Sequence, residues 1–135
     1  MAIETALVAP MVILLALSTA DFSKIVSRQQ ELQSAVGQVE GIALASNASA
    51  STDTAGLKTM LMQAVSLPSS NVTVEKLYRC GANSALVAAS DSCGSSDVVS
   101  TYIRVTLTDS YNPIWQRVSK IGTWNFNVQR TVQLS

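Results

Sequence analysis

Thr5–Ala20 reads TALVAPMVILLALSTA, sixteen residues without a charge, bracketed by Glu4 and Asp21. As a helix rising about 1.5 Å per residue it spans roughly 24 Å, short of a bilayer core of about 30 Å. Adding Met1, Ala2, Ile3 and Phe22 reaches that span but encloses Glu4. Three readings compete. A cleavable secretory signal would find small residues at Ser18-Thr19-Ala20, yet no Lys or Arg precedes Lys24 to form a basic leader region. A core helix of a soluble domain would not be apolar around its whole circumference in so short a chain. A membrane-resident helix that is later buried in an assembly meets neither objection.

The helical period continues past Asp21. Phe22, Ile25, Val26, Leu32, Val36, Val39 and Ala43 recur at steps of three and four, with Lys24, Arg28, Gln30, Glu31, Gln38 and Glu40 between them. One helix from about Ala2 to about Ala45, some 65 Å long at about 1.5 Å per residue, is predicted. Its first half is apolar all round and its second half is apolar on one stripe, so the two halves require different surroundings. Pro10 lacks the N–H that would bond the Ala6 carbonyl, so a kink or local unwinding is expected there. Glu4 is either at the level of the lipid headgroups or deeper. A carboxylate held deeper needs a partner.

After the polar stretch ASNASASTDT (45–54), Leu57, Met60, Leu61, Ala64 and Val65 suit a short amphipathic helix capped by a Thr or Asp at 52–54 and ended by Leu67-Pro68. Strand alternation follows. From Val98 to Thr108, Val99, Thr101, Ile103, Val105 and Leu107 share one face. From Trp124 to Leu134, Trp124, Phe126, Val128, Val132 and Leu134 do the same, with Arg130 interrupting. Val72 to Arg79 is a weaker third strand. One apolar face per strand predicts an antiparallel sheet covered on one side, by the amphipathic half of the long helix and by the short helix. The fold class is therefore α+β: a long N-terminal helix, a short second helix and a small antiparallel sheet packed on the long one. The predicted division is residues 1–50, a membrane or filament-core helix, and 51–135, a hydroxyl-rich head.

Charge and composition narrow the functions. Nine basic and nine acidic residues give a formal net charge of zero, a poor basis for neutralising nucleic-acid phosphates. With no histidine and two cysteines, the usual four-ligand zinc sites and histidine-based triads cannot be assembled. No nucleophile–base pair or metal constellation is apparent, so the chain reads as no enzyme, and no cofactor is expected. Asp91, Asp97 and Asp109 read as solvated turn residues rather than a calcium site. Cys80 and Cys93 flank a small-residue loop. A disulfide between them would suit an extracytoplasmic head and contribute about 3 kcal/mol in the chain-entropy model, whereas two buried thiols are the alternative. Asn47-Ala-Ser and Asn71-Val-Thr match the glycosylation triplet but are common by chance in so Ser- and Thr-rich a chain.

Met1-Ala-Ile-Glu-Thr-Ala-Leu-Val-Ala-Pro10 followed by MVILLAL resembles the start of a TadE-like pilin of the tight-adherence class. Asp21-Phe22, then Arg28-Gln29-Gln30-Glu31-Leu32-Gln33 and the Ala-rich helix end, are similar to the same family. The specific part covers about the first 45 residues. The resemblance implies a type IV-like pilin of the bacterial inner membrane, made with a basic leader that a prepilin peptidase removes, so that this chain is the mature form. Glu4 corresponds by motif to the family's glutamate, which usually falls at the fifth mature residue and here is fourth from Met1. The expected assembly residues are Met1, Glu4 and Pro10, with the Glu4 carboxylate meeting the amino terminus of a neighbouring subunit.

Two functions of different class follow. The first is a structural subunit of an extracellular filament. It polymerises through its apolar helix with copies of itself or other pilins, passes from the inner membrane through an assembly machinery, and serves surface attachment without binding nucleic acid. The second is a single-pass anchored binding or sensor domain that keeps the helix in lipid. Glu4 discriminates between them, since a permanent anchor gains nothing from it.

Overall fold

A computed structural model of the chain describes residues 2–46, 53–114 and 122–134. Helix α1 runs Ala2–Ser46 without interruption, Pro10 included. Helix α2 spans Thr54–Val65. Four strands follow: β1 Val72–Cys80, β2 Leu86–Val87, β3 Val99–Tyr111 and β4 Trp124–Gln133. They form one antiparallel sheet in the order β2-β1-β3-β4. The architecture is α+β, as the periodicities predict. Short strand β2, inside the loop between the cysteines, is an addition to the expected set.

Local chemistry explains the element ends. Asp53 caps α2 by accepting the Ala55 N–H at 3.0 Å, which leaves one fewer orphan donor in the first turn. At the other end Ser66 takes a left-handed conformation at φ 52°, and its N–H bonds the Met62 carbonyl. Gly81 (φ 54°) turns the chain after β1, where a side chain would be strained.

Register fixes which side chains face the helices. Val72 opposes Leu107, Val74 opposes Val105 and Lys76 opposes Ile103, while Val128 and Val132 of β4 oppose Leu107 and Ile103. Onto this face α1 lays Leu32, Val36, Val39 and Ala43, and α2 lays Leu57, Leu61 and Val65, all buried. The cover is thus the pair of elements expected. Leu77 has the opposite parity and is buried outside this core.

The stripe on α1 differs from the expected one at its start. Phe22 is 67% exposed and Val26 is exposed too. Ile25 and Leu32 face the head as expected, with Asp21 and Arg28 in place of Phe22 and Val26. The same three- and four-residue steps continue, but rotated so that two polar residues lead the stripe.

Candidate assembly helix and its junction with the head

From Ala6 to Ala20 every described side chain of α1 is exposed. Leu7, Met11, Val12, Ile13 and Leu15 each leave more than half of their surface open. Nine large apolar side chains, from Leu7 to Phe22, are exposed in this half. Full burial of a Leu- or Val-sized side chain is favourable by about 1.5–3 kcal/mol, so this surface stores on the order of 10 kcal/mol for whatever covers it. The helix is long and apolar enough to cross a membrane.

The apolar half ends at a polar junction. Asp21 is only 3% exposed. Its carboxylate accepts the Tyr111 hydroxyl at 2.8 Å and the Ile114 backbone N–H at 3.0 Å. Asp21 in turn holds the Tyr111 proton: the hydrogen bond to its carboxylate raises the phenol's pKa above the ordinary value, helped by desolvation and by the carboxylate's charge. Two turns further along α1, Arg28 makes three bonds. Its Nε donates to Asp109 at 2.7 Å, one terminal nitrogen to Glu31 at 2.8 Å and the other to the Val65 carbonyl at 3.0 Å. Val65 is the last residue of α2. The guanidinium therefore satisfies an orphan carbonyl at a helix C-terminus and lies at the negative end of that helix's dipole. One side chain joins α1, α2 and β3.

Asp109 is not the solvated turn residue that the sequence suggests. It is paired with Phe126 inside β3, and its side chain is 18% exposed against Arg28. The β3 alternation simply runs on from Leu107 through Asp109 to Tyr111, placing both polar groups on the helix-facing side. Asp97 does close a loop turn, accepting the Gly94 N–H.

The expected assembly residues fall on the same helix. Glu4 lies in its first turns and Pro10 within it, while Met1 lies outside the described residues. Cys80 and Cys93 are joined in a disulfide, with Cα atoms 5.2 Å apart. Asp21, Arg28, Asp109 and Tyr111 were not singled out as a site by their sequence context. The signal that could have found them is the period itself, which places Asp21 and Arg28 at head-facing steps and Asp109 and Tyr111 in phase with Leu107.

Residues 1–39 match the family model for TadE-like protein, in agreement with the resemblance of the N-terminal stretch. The match ends inside α1 and includes both junction residues of that helix, Asp21 and Arg28. No curated protein and no solved structure matches the chain significantly.

Proposed function

We propose that the chain is a structural subunit of a bacterial type IV-like, tight-adherence filament that polymerises through α1 and serves attachment. The TadE-like match supports an association with such a pilus. The observation that carries the reading is the exposed apolar half of α1, Ala6–Ala20, whereas the described core of the head is packed on the second half. Lipid covers that surface in the membrane, and helices of other subunits cover it in a polymer. The same segment therefore serves as an inner-membrane anchor before assembly and as filament core afterwards. Partners on this reading are copies of the chain or other pilins, the inner-membrane assembly machinery and a prepilin peptidase. The role is structural rather than enzymatic.

The test is to shear cells that express the protein and to ask where it goes. Sedimentable polymer in the sheared fraction is the expected result. Protein that stays wholly in the membrane fraction when expressed with its assembly machinery overturns the filament reading and favours the anchored binding domain.

A further inference from the structure

Three large apolar side chains are exposed at one level of the molecule, where α1 leaves the head. Phe22 is 67% exposed, Ile114 54% and Trp124 52%. Phe22 belongs to α1, Ile114 follows β3 and Trp124 opens β4. Asp21 gathers them. Its carboxylate accepts the Ile114 N–H and the Tyr111 hydroxyl, Tyr111 pairs with Trp124 across the two strands, and Phe22 is the next residue of the helix. The Thr123 hydroxyl donates to the Asn112 side-chain oxygen at 2.9 Å, which ties the start of β4 to the end of β3 at the same level.

The length of the helix sets the depth of this level. The uncharged run Thr5–Ala20 spans roughly 24 Å, about 6 Å less than a bilayer core of about 30 Å. A run shorter than the core thins the bilayer or draws its flanks inward. The flank drawn inward here is the Asp21 level. Asp21 suits that depth because its carboxylate is 3% exposed and already holds two donors. Around it the exposed surface is a tryptophan, an isoleucine and a phenylalanine. Tryptophan is enriched at membrane–water interfaces, where the ring meets lipid and the indole N–H stays wet. Lys24, exposed and one turn further along α1, has a stem that can lie along this surface and carry its ammonium to the headgroups.

Area and continuity choose the occupant. The three side chains offer on the order of 350 Å² of surface, taking about 150–250 Å² for a whole aromatic side chain. A stable protein interface covers about 800 Å² on each partner. Lipid sets no such minimum, and a rim tethered to a membrane-spanning helix loses no further translational freedom on meeting it. We infer that, with α1 in the membrane as proposed above, Phe22, Ile114 and Trp124 lie in the interfacial layer of the same bilayer, so that the head of the unassembled subunit rests on lipid. This rests on the anchored state of α1 and not on polymerisation. Assembly must then lift the rim out of the interface together with the helix.

The experiment places the full chain in phosphatidylcholine vesicles at a dilute protein-to-lipid ratio and reads tryptophan emission with lipids brominated near the headgroup or near the bilayer centre. Trp115, which lies outside the described residues, is replaced by Phe so that Trp124 reports alone. Trp124 should lose more emission to the shallow bromine than to the deep one, and aqueous acrylamide should quench it less than in the denatured chain. A second chain carries Leu14→Trp with both native tryptophans replaced by Phe; it reports the middle of the apolar run and should lose more emission to the deep bromine. Phe22→Ser combined with Ile114→Ser should reduce the shallow quenching of Trp124, with the Cys80–Cys93 bridge and thermal melting unaltered. Quenching at position 14 without quenching of Trp124 overturns the proposal and leaves α1 as an anchor. Absent quenching at both positions overturns the anchored reading as well. Trp124 shielded from acrylamide but untouched by bromine overturns the proposal in favour of a second copy. Shallow quenching that the double serine variant leaves unaltered overturns the assignment of Phe22 and Ile114 to the contact.

Discussion

Asp21 and Tyr111, ninety residues apart in the chain, are joined by a 2.8 Å hydrogen bond at the level where α1 leaves the head. The bond couples the direction of the apolar helix to the end of the longest strand. With Arg28 and Asp109 behind it, the junction gives α1 a second point of attachment, so the head does not merely hang from a greasy stripe. A subunit that transmits load along its helix gains from such a polar fastening, because hydrogen bonds fix direction where apolar contacts slide.

The junction has a predicted response to alkali. Bonding to Asp21 raises the folded-state pKa of the Tyr111 phenol above its ordinary value. The protonated form is thus favoured by the fold. Its contribution is complete below the unfolded-state value, near pH 10, and is lost as pH rises through the folded value. The melting temperature of wild type should therefore exceed that of Tyr111→Phe at pH 7 to 9, and the gap should narrow above pH 10. A gap that stays constant to pH 11 rules out this linkage.

Arg28 is expected to matter more than an ordinary surface arginine. Exposed ion pairs contribute about 0–1 kcal/mol. Arg28, however, also serves the α2 C-terminus, and its loss takes the counter-charge from the part-buried Asp109 carboxylate, which keeps only the Ser110 N–H, and the donor from the Val65 carbonyl. Arg28→Met should destabilise the chain by about 1–3 kcal/mol. Denaturant melts of the detergent-solubilised protein would read this, with Glu31→Gln as a control near zero. Equal effects of the two substitutions would show that only a surface pair had been removed.

The disulfide closes a segment with a sequence separation of 13. A loop of about this size is constrained by roughly 3 kcal/mol in the chain-entropy model, within a usual range of about 2–4 kcal/mol. Replacing both cysteines with serine should lower stability by that amount. It should leave the α1–sheet core intact, since the bridge lies between β1 and the β2 region rather than under the helices. Thiol labelling of the unreduced, denatured wild type should find no free cysteine, and full labelling of both would contradict the bridge.

The extent to which the fold was legible follows from what each signal measures. Alternation gave β1, β3 and β4, and the three-to-four-residue step gave both helices, because burial on one face imposes a period on the sequence. The junction was less legible for two reasons. Phe22 outranks Asp21 as an expected core residue by transfer energy, yet a satisfied carboxylate with two donors can be buried where an aromatic ring is left for another partner. Asp-Ser at 109–110 carries turn composition, and pairing with Phe126 and Asn125 overrode it. Strand β2 has two residues, too few to show a period. Only the register puts Arg79, Tyr102 and Arg104 on one face.

Pro10 gives a prediction about the same helix in two states. In the single chain the helix runs through it, although it cannot donate to the Ala6 carbonyl. Proline in a helix interior is unfavourable by about 3 kcal/mol relative to alanine. Pro10→Ala should slow amide exchange from Ala6 to Leu14 in micelles. In a filament, where neighbours can cover freed carbonyls, wild type is expected to kink or unwind between Ala6 and Pro10. A filament map with an unbroken straight helix there would refute that expectation.

Glu4 separates a filament subunit from a permanent anchor. On the proposed reading its carboxylate meets the amino terminus of an adjacent subunit once both helices leave lipid. Removing one member of a buried pair is destabilising by about 3–5 kcal/mol because the other is left uncompensated. Repeated at every subunit, that penalty should block or strongly impair polymerisation by Glu4→Ala, and Glu4→Gln should impair it less, since it keeps the shape. Neither change touches the head core, which is built from α1 residues from Leu32 onward together with α2 and the sheet. Both variants should therefore insert in the membrane and form the Cys80–Cys93 bridge at wild-type levels. The measurement is sheared-filament yield against the membrane pool for the three proteins. Equal yields would remove charge pairing from the mechanism while leaving apolar burial of α1 as the driving force. A loss of membrane protein in the variants would instead move the role of Glu4 from docking to insertion.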